Sequence, residues 1–183
     1  MAGTSRPRVA CAVLLMAAAT AACDTRAQYE PSLPPAAGFR VDDGVLELWT
    51  GTPCPGVTAL TLTFDSGTEK STEQVWTAPR PGVLVEHMDL LSSAGRPAPD
   101  TGPLQVRTPL PAGYDWTKAG SLHFAVDGPP SYGARVDIDR LLRESAQHPS
   151  ASYLFGGRGW MDTAAVQREN RKSFLTVCTP DPQ

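Results

Sequence analysis

The sequence predicts a mainly β domain, a sandwich of antiparallel sheets with two short helices near its carboxyl end. Two observations carry that expectation. Between residues 39 and 126 short apolar runs recur, some alternating strictly, and glycine and proline punctuate the gaps between them. After residue 138 the two-residue period gives way to runs of good helix formers.

The first expected strand is residues 45–49, a compact apolar run that Gly51, Pro53 and the Pro55-Gly56 pair are read as closing. Residues 60–64 alternate, so Leu60, Leu62 and Phe64 share one face and Thr61 and Thr63 the other. Asp65-Ser66-Gly67 ends that strand, and a polar stretch leads to the next, at residues 74–77. After Pro79, Pro81 and Gly82 comes a strand at 83–88. Residues 92–103 hold three prolines and two glycines, too many breakers for regular structure. Short strands follow at 104–107 and 121–126, the latter with Leu122, Phe124 and Val126 on one face.

Residues 139–145 lack period 2 and stop before His148-Pro149, which reads as a helix. A second helix is expected from Asp162 to about Arg171. The Asp162 carboxylate can accept from free N–H groups of the first turn, and Arg171 and Lys172 suit the negative end of the helix dipole. Residues 173–178 return to strand. No repeat with a period of 20 to 50 residues is visible.

The amino end has another logic. Arg6 and Arg8 precede an uncharged apolar run, residues 9–22, which is shorter than the roughly 20 residues a membrane-crossing helix requires. Small residues then lead to a cysteine, as in an export signal. Ala19-Thr20-Ala21-Ala22-Cys23 resembles the lipobox of bacterial lipoproteins. The resemblance covers the first 23 residues and implies that Cys23 is lipidated, becomes the first mature residue and holds the chain at the outer face of the cell membrane. Pro7 separates the two arginines, so the general export route is expected rather than the twin-arginine one. The domain plan is then a signal peptide at 1–22, a lipidated cysteine and proline-rich tether at 23–38, and one β-rich extracytoplasmic domain at 39–183.

The formal charge is −3, and −5 once Arg6 and Arg8 leave with the signal. With no basic run, nucleic acid is not an expected partner. Cys11 also leaves, and a lipid on Cys23 would leave Cys54 and Cys178 in a compartment that permits oxidation. One disulfide between them is the economical reading, and two separate buried thiols the other.

No motif spells out a reaction. Gly128-Pro129-Pro130-Ser131-Tyr132-Gly133 has proline where the nucleophile elbow G-x-S-x-G requires glycine, so Ser131 reads as part of a proline-rich turn. His87, His123 and His148 are scattered, and on alternation the first two point away from their strands' apolar faces. Asp42-Asp43-Gly44 reads as a turn and Asp137 with Asp139 as a helix start, neither with the spacing of a calcium loop. No metal and no cofactor are therefore expected. The most unusual stretch is 153–161, where three glycines stand among Phe155, Arg158 and Trp160. It reads either as a recognition loop, whose residue types favour interfaces, or as a tight turn whose aromatics cap the core.

The functional expectation is a membrane-anchored binding or cell-envelope interaction module, its partner an unidentified envelope protein or small ligand. A carrier of a small apolar ligand would instead show a cavity lined by residues such as Leu62, Phe124 and Leu142. A hydrolase of envelope polymers would show ionisable groups converging in a cleft.

Overall fold

The computed structural model describes residues 31–98 and 102–182. Cys23, the expected leader and residues 24–30 of the expected tether lie outside them. The described chain contains twelve strands and two short α-helices.

Two five-stranded sheets, antiparallel at every pairing, form the body. Sheet one has β2 (Gly38–Asp42), β3 (Val45–Val57), β6 (Val83–Ser92), β10 (Tyr153–Phe155) and β11 (Gly159–Met161), in the order β11-β10-β2-β3-β6. Sheet two has β4 (Ala59–Phe64), β5 (Thr72–Thr77), β7 (Gln105–Thr108), β8 (Ser121–Asp127) and β9 (Ala134–Asp137), in the order β7-β5-β4-β8-β9. Thr58 alone carries the chain from β3 to β4, and its N–H donates to the Asp127 carbonyl at 2.8 Å. A parallel pair, β1 (Pro35–Ala36) with β12 (Leu175–Thr176), joins the two ends of the domain.

The alternating runs build the core as their period requires. Leu60, Leu62 and Phe64 lie opposite Val126, Phe124 and Leu122 on the face turned inward, all buried. Each contributes roughly 1.5–3 kcal/mol by leaving water. Sheet one answers with Phe39, Leu46 and Leu48, and Phe39 meets Phe124 edge-on at 5.9 Å between ring centroids. The sandwich architecture is therefore the one the strand spacing predicts.

Helix α1 (Ile138–Glu144) starts where Asp137 accepts from the Arg140 N–H at 2.7 Å, and it buries Ile138 and Leu141. Helix α2 (Thr163–Glu169) starts where Asp162 accepts from the Ala165 N–H at 2.8 Å. Val166 packs from α2 onto a second, smaller core on the outer face of sheet one, with Trp49, Phe155, Met161 and Phe174. The Asp43-Gly44 turn joins β2 to β3 with positive φ at both residues, 45° and 76°, which suits a two-residue hairpin.

Four expectations need correction. First, β3 does not end at Trp49 but runs to Val57. Gly51, at φ 81°, lets the strand bulge, and pairing with β6 resumes at Cys54 with Val85. Second, β2, β9 and the β10–β11 hairpin were not expected as strands. They are short, and their neighbours hold them in place. Third, the closing strand is only Leu175–Thr176 and pairs with β1 rather than extending a sheet. Fourth, order begins before residue 39. The Ser32 N–H donates to the Asp181 carboxylate at 2.7 Å, and Ala36 and Ala37 are buried. Three prolines suggested a segment unable to order itself, yet Pro35 sits at an edge where its missing N–H costs nothing.

Cys54 and Cys178 form the disulfide, with their Cα atoms 5.4 Å apart. Cys54 stands on β3 itself rather than in a loop, and Cys178 lies just past β12.

Candidate binding cleft beside the β10–β11 hairpin

A cleft of about 460 Å³ opens where β9, the start of α1 and the hairpin turn meet. Arg135, Asp137, Arg140 and Ser121 line one part of it, and Leu154 and the Gly156-Gly157 turn another. β9 alternates, so Ala134 and Val136 are buried while Arg135 and Asp137 are exposed. Gly156 lets the hairpin turn lie directly on β9, because a Cβ there would run into the Arg135 carbonyl oxygen.

A second contact holds the hairpin to α1. The Trp160 indole N–H donates to Glu144 at 2.8 Å, and Arg140 Nε donates to both oxygens of the same carboxylate at 3.0 and 3.1 Å. The Trp160 hydrogen bond, then Arg140, holds the Glu144 carboxyl below its usual range. His148 stacks on Trp160 at 4.4 Å between rings. Glu144 thus fixes both Arg140, on one wall of the cleft, and the hairpin that forms the other.

The three residues expected to form a binding loop divide. Arg158 is exposed in the hairpin turn, with its N–H donating to the Phe155 carbonyl at 2.9 Å. Trp160 is half-buried and joins the hairpin to α1. Phe155 is a correction: it is fully buried, 5.4 Å from Trp49 and 5.7 Å from Phe174 between ring centroids. Alternation explains the split, since Tyr153 and Phe155 turn to the outer core of sheet one while Leu154 turns to the main core. Arg135 and Arg140 were not singled out from the sequence. The polar-apolar alternation of Arg135-Val136-Asp137 is the signal by which a strand there could have been found.

The outer face of sheet one carries a second cluster. Gly38 leaves room for two aromatic rings, because a Cβ would stand 2.6 Å from Phe155 Cε2 and 2.7 Å from Tyr153 Cβ. Trp49 stacks with His87 at 5.5 Å and meets Tyr153 at 5.6 Å. The Tyr153 hydroxyl donates to Glu47 at 3.1 Å, and burial, with the adjacent Glu47 charge, pushes the phenol up to about 12. Burial also raises the Glu47 carboxyl. The buried Arg40 guanidinium donates to the carbonyls of His148, Pro149 and Ser152 at 3.3, 2.9 and 3.3 Å. Its role is to hold the 148–152 segment against the sheet.

The remaining candidates have structural roles. The Ser131 hydroxyl donates to the Val126 carbonyl at 2.6 Å, closing the turn after β8. His87 stands on β6 of sheet one and His123 on β8 of sheet two. Leu62 and Phe124 are fully buried, Leu142 is partly buried on the same core, and none of the three lines this cleft. Among the described residues Asp137 is the carboxylate lining the cleft, and it caps α1. Among the described residues no group of three or more His, Cys, Asp and Glu side chains comes together to hold a metal. Comparison with protein-family models, curated proteins and solved structures finds no match, so the site is read from its own chemistry.

Proposed function

We propose that the protein is a lipid-anchored binding module on the extracytoplasmic face of the cell membrane, attached through Cys23 and recognising an envelope component in the cleft between β9, α1 and the hairpin. The carrying observation is the cleft itself, where Arg135, Asp137, Arg140 and a glycine turn line a space open to solvent. Such a lining favours a polar ligand group over an apolar one, because Arg135 and Arg140 would lose hydration against hydrocarbon. The disulfide agrees with an oxidising compartment.

The test uses full-length protein in cells, with a photoreactive residue replacing Arg158 beside the cleft or Glu69 on the turn after β4. Crosslinking of an envelope component from position 158 and not from 69, lost in an Arg135→Ala, Arg140→Ala background, is the expected result. Equal yields from both positions would remove the cleft from the proposal. Cys23→Ala is expected to leave the membrane fraction, and retention as firm as the parent's would remove the lipid anchor.

A further inference from the structure

The four outer strands of the two sheets are not protected alike. β11 has three residues, and β7 has four between Pro103 and Pro109 and carries Arg107. β9 has four, with the hairpin turn lying on its backbone at Gly156. Short, proline-flanked, charged or covered strands are the usual devices against unwanted pairing. β6 has ten residues, Val83–Ser92, and no proline, and its charges, Glu86 and Asp89, are both negative, so they repel another acidic edge but not a cationic one. Among the described residues it is covered at its end, where the Ala98 N–H donates to the Leu90 carbonyl and the Ser92 N–H to the Arg96 carbonyl. Among the described residues, no strand pairs with the outer edge of Val83 to Asp89.

A groove of about 340 Å³ runs along that stretch, between β6 and residues 102–104. Val85 and Met88 form its apolar floor with Leu104. Leu84 stands at its rim 66% exposed, against 37% for Val106, the other large apolar side chain exposed among the described residues. The carboxylate lining the groove is Asp89, and the other charged residue of this stretch, Glu86, has the same sign. We infer that the free edge of β6 from Val83 to Asp89 receives an extended, lysine- or arginine-bearing peptide segment of a partner protein, which adds to sheet one as a further strand. The backbone edge selects an extended chain, the apolar floor selects apolar side chains facing Val85 and Met88, and Asp89 with the neighbouring Glu86 selects a cationic flank. A second copy of this chain fits less well, because its β6 would bring two more carboxylates and no cation to the seam. The inference is independent of the cleft beside the hairpin.

The test is hydrogen exchange followed by mass spectrometry on the full-length protein in detergent. Two nine-residue synthetic peptides alternate valine and serine, one ending in lysines and the other in glutamates. Protection of amides 83–89 by the lysine-ended peptide is expected, with the glutamate-ended one weaker on the order of tenfold. Asp89→Lys should reverse that preference and Leu84→Asp should weaken both. Both side chains are exposed, and unchanged thermal unfolding confirms that the variants fold. Failure of the peptide to protect 83–89, protection elsewhere alone, or protection that rises with protein concentration before any peptide is added would overturn the inference, the last by making a second copy the occupant.

Discussion

Removing the Cys54–Cys178 disulfide should cost this domain a large part of its stability. The bridge spans 124 residues of sequence, nearly the whole folded body. The chain-entropy model gives roughly 5 kcal/mol for a loop of that size, and native bridges commonly deliver about 2–4. Cys54 is fully buried in the main core, so Cys54→Ala also leaves a small void, adding on the order of 1 kcal/mol. The Cys54→Ala, Cys178→Ala protein should therefore lose about 3–6 kcal/mol, set against a usual total of about 5–15. Urea unfolding followed by tryptophan fluorescence measures it. With a slope near 2 kcal/mol per molar, the midpoint should fall by about 1.5–3 M. Reduced wild-type protein separates the crosslink from the void, because it retains both sulfur atoms and should show most of the same fall. A fall below about 0.5 M in both proteins would refute the reasoning, by showing that the β1–β12 pairing and the core hold the ends together unaided.

The other predictions are local. Phe155→Ala should destabilise by about 3–5 kcal/mol in the same urea assay, as a buried aromatic does, whereas a surface binding residue would leave the midpoint unchanged. Gly156→Ala should cost about 1–3 kcal/mol by overpacking and shift the Trp160 emission, because the turn must lift off β9. Arg40→Leu leaves three carbonyls of the 148–152 segment without their donor, and should cost about 1–3 kcal/mol while raising hydrogen exchange there. Tyr153 keeps its proton in the folded state up to about pH 12, against 10 for the unfolded chain, so its share of stability is complete below 10 and is lost as pH rises through that window. Urea midpoints at pH 9 and 11 should accordingly differ less in Tyr153→Phe than in the parent.

What was legible in the sequence follows from how locally each element is determined. β4 and β8 carry a strict two-residue period that only a half-buried strand explains, and both appear with the inward face expected. Asp137 and Asp162 announce helices because a cap acts within three residues. The disulfide followed from a count of the cysteines left behind the expected export signal. The cleft was hidden, because its walls come from strands of three and four residues that no local preference sustains. Its closest approach, Gly156 on the Arg135 backbone, joins segments about twenty residues apart. Arg40 looks like any strand arginine, and its acceptors lie over a hundred residues downstream. Pro53 and Pro55 argued against a strand, and β3 absorbs them where its pairing with β6 is already broken by the bulge.

The pairing of β1 with β12 bears on how the molecule carries mechanical load. On the proposed lipid-anchored reading, tension from the amino end first meets Ser32, whose N–H and hydroxyl donate to the Asp181 carboxylate, and then reaches Pro35. There the force meets a parallel contact of two residues and passes along it to Leu175 and Thr176. Two residues further on, Cys178 hands it through a covalent link to Cys54 in the middle of the longest strand. Load on the amino end is thereby shared between the backbone, which continues from β1 into β2, and the disulfide, which ends on β3, both in sheet one.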